Sequence, residues 1–302
     1  TTFPLLSEAV RGAKLSIQAP FFNTITAPMG YALLLLMGVG MLISWRKSSW
    51  EGLQGNFQNP VILATAGTIF LSWLLYEKNL QWGVYITFWA AIFVTSIFLF
   101  ELAKTSYIKS RQTETNFLMG VFYAFSSNRR RYGGFLIHFG AVLMFLGFAG
   151  TFFSLERDIT LEPGSSMQIG DYRLEFQNVS EFQLGNARHR AAIIEVFDNE
   201  GNFLEVMKPA KSFYPTQPQP LTEVAILRSF MEDLYLIFSS ENGGEKGSVT
   251  IRVFINPLIG WAWMALPVFT LGVGISLTYR PKSLLTRETI LKERYIAAQE
   301  VG

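Results

Sequence analysis

The hydrophobic positions of this chain form five long apolar blocks and one region of strict alternation. The blocks lie at about 27–45 (APMGYALLLLMGVGMLISW), 60–76 (PVILATAGTIFLSWLLY), 82–100 (WGVYITFWAAIFVTSIFLF), 133–153 (GGFLIHFGAVLMFLGFAGTFF) and 257–279 (PLIGWAWMALPVFTLGVGISLTY). Each approaches or reaches the roughly 20 residues that a helix needs to cross a bilayer, so the pattern predicts about five transmembrane helices. The second block is the shortest, which predicts little tilt or a locally thinned bilayer. Between the third and fourth blocks, Phe117, Leu118, Val121, Phe122 and Phe125 recur at helical spacing. This stripe predicts a short helix near 114–127 lying in the membrane interface rather than a sixth span.

Residues 154–256 read differently. YRLEF (172–176), AIIEVF (192–197), EVAIL (223–227), DLYLIF (233–238) and SVTIRVF (248–254) alternate with the period of a strand. Turn chemistry separates them at Pro163-Gly164, at Asp198-Asn199-Glu200-Gly201 and at Asn242-Gly243-Gly244. Six or seven short strands in about 100 residues predict a small antiparallel barrel or sandwich inserted between the fourth and fifth spans. The prolines at 215, 218 and 220 mark a loop, because proline cannot donate to a ladder.

Charge orients this arrangement. Only 16% of the 302 residues are charged, against about a quarter in soluble domains, and the basic ones cluster beside the spans. Arg46 and Lys47 follow the first block; Lys104, Lys109, Arg111 and Arg129 to Arg131 lie between the third and fourth; Arg280, Lys282, Arg287, Lys292 and Arg294 follow the fifth. All fall on one side if the spans alternate, and that side is the cytoplasm. Residues 1–26 and the β region 154–256 are then extracytoplasmic, and 280–302 is a cytoplasmic tail. Trp45, Trp73, Trp82, Trp261 and Trp263 sit near span ends. They read as an aromatic belt at the headgroups, or alternatively as a stacking surface for a flat ligand. Arg129 to Arg131 read as a topology anchor, with anionic-lipid contact as a second role. The chain begins at Thr1 with no charged leader before the first apolar block, which is read as the back part of a longer protein or a processed product.

Candidate chemistry is sparse. With no cysteine there is neither a disulfide nor a thiolate site. No zinc motif and no phosphate-cradling glycine loop occurs. No catalytic triad can be built, since the two histidines are the only candidate bases. The spans hold almost no ionisable group, which argues against a proton-coupled transporter. The exception is His138, about seven residues and therefore about 10 Å along the axis from Arg131. Gly134 and Ala141 share its helical face, with Phe135 and Phe145 as flanks. Small residues around an imidazole suit a haem ligand, but they equally suit close helix packing; a hydrogen bond to another helix or a quinone contact remain open. His189, in GNARHR (185–190), reads as a solvated histidine of a polar turn.

NRRRYGGFLIHFGAVLMFLGFAG (128–150) closely resembles the CcmF family of cytochrome c-type biogenesis proteins, also called haem lyases. FPLLSEAVRGAKLSIQAPFFN (3–23), FYPTQPQPLTEVAIL (213–227) with DLYLIF after it, and INPLIGWAW (255–263) agree with that family in the same order. The resemblance implies a multi-pass protein of the bacterial cytoplasmic membrane with its β domain in the periplasm. It implies a part in attaching haem, delivered by the chaperone CcmE, to the CXXCH thiols of apocytochrome c. It also implies a haem b between two transmembrane histidines, of which His138 matches the second, as axial ligand to the haem iron. The family's tryptophan-rich haem-binding segment, its two external histidines and its first transmembrane histidine have no counterpart here. The expected partners are therefore an upstream CcmF half carrying them, CcmE, CcmH/CcmI-type proteins, apocytochrome c and membrane lipid, with no nucleic acid. Catalysis by this half alone is not expected. The competing reading, from another class, is a non-catalytic membrane scaffold whose β domain docks the assembly partners.

Overall fold

A computed structural model describes residues 3–12, 19–42, 50–76, 81–242 and 247–278. The basic residues at 46, 47 and 280–294, and with them the tail 280–302, lie outside the described residues. The helices are α1 (Phe3–Arg11), α2 (Ala19–Leu42), α3 (Trp50–Leu74), α4 (Trp82–Gln112), α5 (Phe117–Ser127), α6 (Arg129–Ala149) and α7 (Ile259–Leu277). Among the described residues, five segments are long and apolar enough to cross a membrane: Thr24–Leu42, Gly55–Leu74, Trp82–Gln112, Arg129–Phe153 and Ile259–Leu277. An apolar medium leaves backbone polar groups no partner outside the segment, and a helix satisfies them internally. Polar side chains in these helices do the same. Thr87 Oγ1 donates to the Gly83 carbonyl at 2.9 Å, Thr68 Oγ1 to Ala64 at 2.7 Å and Thr270 Oγ1 to Leu266 at 2.9 Å. Between helices, Trp89 Nε1 of α4 donates to Thr65 Oγ1 of α3 at 3.1 Å.

α4 runs twelve residues beyond the apolar block, to Gln112, and carries Lys109 and Arg111 in its last turn, where cations complement the helix dipole. α5 opens on Asn116, whose side chain accepts from the Met119 N–H at 2.9 Å, an N-cap. It folds back on α4 through Gly120, where an added Cβ would overlap the Ser106 carbonyl oxygen. Phe117, Leu118 and Phe122 point away from that contact and are exposed.

The chain divides into two compact units, 1–142 with 265–302, and 143–264. The second contains an antiparallel sandwich with strands β1 (Leu155–Leu161), β2 (Ser166–Ile169), β3 (Tyr172–Leu184), β4 (Ala187–Phe197), β5 (Phe203–Met207), β6 (Ala210–Phe213), β7 (Leu221–Glu223), β8 (Ala225–Arg228), β9 (Glu232–Asn242) and β10 (Ser248–Pro257). One sheet has the order β1-β10-β9-β8 and the other β2-β3-β4-β6-β7, with β5 also pairing β4. Their inner faces share one apolar core that includes Leu174, Phe176, Ile194, Val196, Leu234, Leu236, Ile251 and Val253.

Two local expectations are corrected. EVAIL (223–227) is not one strand: β7 ends at Glu223 and β8 begins at Ala225 in the other sheet, so the chain changes layer at Val224. GNARHR is not a turn beyond Gly185-Asn186. Gly185, at φ 62°, makes the reversal, and Ala187–Phe197 continues as β4. Alternation fails as a signal there because Ala191 and Ala192 are both buried. The first half of β4 pairs β6 and its second half pairs β5. The Ala192 N–H donates to Pro209 O at 3.0 Å where the partner strand changes. That discontinuity shifts the buried set from 187, 189 and 191 to 192, 194 and 196.

Candidate functional site around His138

Helix α6 presents three different faces, and His138 lies on the third. Gly133 and Gly140 form the first. A Cβ on Gly133 would stand 2.7 Å from the Gly272 carbonyl oxygen and 2.7 Å from Ser276 Oγ, and one on Gly140 would stand 3.3 Å from the Ala265 carbonyl oxygen. The heptad spacing of these glycines keeps them in line, so α7 approaches to backbone contact as small residues permit. The second face meets α4. Phe98 lies edge-on to Phe135 at 6.1 Å between centroids and tilted to Phe139 at 5.9 Å, with Tyr132 beside Phe135 at 5.8 Å.

Gly134, His138 and Ala141 are left over between these faces, each only partly buried. A Cβ on Gly134 would meet nothing within 4 Å. One turn from the one histidine of the spans, the helix surface at Gly134 is therefore bare of contacts from other elements. The donor is a single imidazole: among the described residues no group of three or more His, Asp or Glu side chains could enclose a metal ion. Haem, which brings four nitrogens of its own and needs only axial ligands, fits that donor set. Phe135, expected as a flank of His138, is buried with its ring edge-on to Phe98 of α4.

The polar end of α6 is held by charge. Arg131 Nη2 lies 3.0 Å from Glu101 Oε1 of α4, and Arg129 Nη1 donates to the Thr278 carbonyl at 3.4 Å. Glu101 follows the third apolar block by one residue. This ion pair therefore marks the level at which both helices leave the apolar stretch.

His189 is not the solvated residue the sequence suggested. It is 5% exposed on β4. Its Nδ1 lies 2.8 Å from Ser212 Oγ and 3.3 Å from Glu223 Oε1, and Ser212 Oγ also donates to that carboxylate. The Phe182 ring stacks on it at 5.2 Å and 7°. Serine and glutamate share the same ring nitrogen, so no histidine here bridges an acid and a hydroxyl as an acid–base relay requires. The cluster joins strands β3, β4, β6 and β7.

Residues 152–257 match the family model described as the CcmF C-terminal beta-sandwich. Along its length the chain is 29% identical over 265 residues to a protein of Pseudomonas fluorescens named cytochrome c-type biogenesis protein CcmF. That match covers 87% of this chain and 38% of the relative. The protein of the same name from Escherichia coli K12 is 28% identical over 290 residues, covering 93% of this chain and 41% of its own length. Among solved structures, one named cytochrome c heme lyase CcmF superposes with a TM-score of 0.69 at 26% identity, covering 92% of this chain and 42% of that one. The chain thus spans about two fifths of the length of these relatives.

Proposed function

Since the chain belongs to the CcmF family and corresponds to its C-terminal half, we propose that it serves cytochrome c maturation as part of a membrane haem lyase. In this reading the helices hold a haem b, with His138 as one axial ligand and the second supplied by the upstream half. The sandwich stands on the periplasmic side, where haem carried by CcmE is joined to the thiols of apocytochrome c with CcmH/CcmI-type proteins in attendance. The observation that carries the proposal is the coincidence of His138 with the one face of α6 that neither α4 nor α7 covers, open at Gly134.

His138 would hold the iron through one ring nitrogen, and the other would need an acceptor to fix the tautomer. Gly134 and Ala141 would leave the macrocycle room against the backbone. Bound haem would supply one-electron chemistry at a potential set by its protein ligands and its burial. The close α6–α7 contact at Gly133 and Gly272 fixes the orientation of the His138 face.

The test uses the full-length parent. His138→Ala lowers the b-type absorbance while membrane levels stay normal, and His138→Gly with added imidazole restores part of it. His189→Ala leaves the spectrum unchanged. A complete bis-histidine spectrum in His138→Ala would refute the assignment.

A further inference from the structure

The β8–β9 hairpin ends in two exposed apolar residues placed level with the first turn of a membrane span. Ser229 closes the hairpin: its N–H donates to the Glu232 carbonyl at 3.1 Å, its hydroxyl donates to the same carbonyl at 2.6 Å, and the Glu232 N–H returns to Ser229 Oγ at 3.1 Å. Phe230 and Met231 form the tip and are 61% and 59% exposed.

This tip is bolted to the start of α7. The Leu258 N–H donates to the Met231 carbonyl at 2.7 Å. A Cβ on Gly260 would stand 3.0 Å from the Ser229 carbonyl oxygen, so glycine lets the hairpin lie against the helix. The Phe230 ring is 5.9 Å from that of Trp261, and the Arg228 guanidinium lies over Trp263 at 5.6 Å. The junction behind it is equally tight, since a Cβ on Gly150 would overlap the Pro257 carbonyl oxygen. β1 and β10 pair from Leu155 and Ile255 onward, directly at the helix ends.

The depth of the hairpin follows from length. α7 has 19 residues, about 28 Å at 1.5 Å each, against a hydrocarbon core of about 30 Å. No turn of α7 is spare, so its first turn must lie at the hydrocarbon boundary, and with it whatever touches Trp261. We propose that the β8–β9 tip is a membrane anchor: Phe230 and Met231 enter the boundary between headgroups and acyl chains, with Arg228 at the level of the lipid phosphates. Arginine over tryptophan suits that layer, where an amphipathic ring and a cation both find partners. The anchor adds a third point of attachment beside the chain's two helical connections and so holds the β1-β10-β9-β8 sheet at a fixed height and tilt on the bilayer. This inference rests on α7 being a span and is independent of any haem ligand.

This chain has no cysteine, so single labels can be placed in it once any cysteine of the upstream part is replaced by serine. Phe230→Cys, Met231→Cys and, as an aqueous reference, Glu200→Cys in the β4–β5 turn are labelled with a polarity-sensitive fluorophore. The full-length protein is reconstituted in phosphatidylethanolamine and phosphatidylglycerol vesicles. Lipids with a nitroxide at the top of the acyl chain should quench positions 230 and 231 severalfold more than position 200, while iodide quenches only 200. Iodide quenching at 230 and 231 equal to that at 200 would overturn the anchor. Protection from both quenchers would overturn it too, by showing a protein rather than lipid over the tip. The two tip positions check each other against a local distortion by either label.

Discussion

Gly133 and Gly134 are neighbours on α6 with opposite surroundings, and substituting them separately tests what the His138 face is for. In a helix interior alanine is favoured over glycine by about 0.8–1 kcal/mol, so either change gains that much from the backbone. At Gly133 the new Cβ would stand 2.7 Å from the Gly272 carbonyl oxygen and 2.8 Å from the Ser276 nitrogen. Both are backbone atoms of a packed helix, so α7 must retreat. Overpacking of this kind costs about 1–3 kcal/mol, and Gly133→Ala should come out neutral to about 2 kcal/mol destabilising. At Gly134 an added Cβ meets nothing within 4 Å, so a larger side chain starts into open space beside His138. Gly134→Leu should keep the protein folded in the membrane while filling the space beside His138. The assay is the b-type spectrum of full-length protein in detergent, with thermal melting followed on the same samples. Gly134→Leu should lose most of the haem absorbance without a lower melting temperature; Gly133→Ala should melt earlier with haem retained per folded molecule. If Gly134→Leu kept its full spectrum, the ligand would not lie on that face. If it failed to accumulate, the face would be covered by protein, and close packing would be the role of its small residues.

Three further outcomes are expected. Phe176 is fully buried in the sandwich, so Phe176→Ala in residues 152–257 expressed alone should lower stability by about 3–5 kcal/mol in urea unfolding, whereas Phe182→Ala, at an exposed ring, should cost far less; equal effects would mean the segment lacks its own core. Asp233 is buried on β9 and one of its carboxylate oxygens has no partner. Burial raises its pKa above 3.8, opposed by the Ser229 N–H and by Arg228. A raised folded value favours the native state below the unfolded pKa, and that advantage is lost as pH rises through the folded one. Asp233→Asn should therefore melt higher than the parent at neutral pH, with the gap closing toward pH values below 3.8; a gap independent of pH would refute the account. Finally, cysteines at Glu200 and Ser126 should differ toward an impermeant thiol reagent in intact cells, with only position 200 reacting; labelling at 126 would reverse the proposed orientation.

The membrane helices were legible in the sequence because lipid imposes a one-dimensional rule: a span must be apolar for its full length and satisfy its own backbone, and both properties are written along the chain. The sandwich was legible as a class for a similar reason, since YRLEF, DLYLIF and SVTIRVF alternate with the period of a half-buried strand. His138 stood out by elimination, as the one side chain in the apolar blocks that titrates near neutral pH. Which neighbours accompany it was not legible. Gly133 and Gly134 are identical letters, and only the approach of α7 makes one a contact and the other open space. Helical spacing put Phe135 beside His138; that its ring also meets Phe98 of α4 could not be read from it. His189 looked solvated because its sequence neighbours are Arg188 and Arg190, residues of the opposite face of a strand. Its burial is decided by Phe182, Ser212 and Glu223, brought from three other strands. Sequence carries what one residue needs from its medium; which side chain covers another depends on elements far apart in the chain meeting, and packing alone decides that.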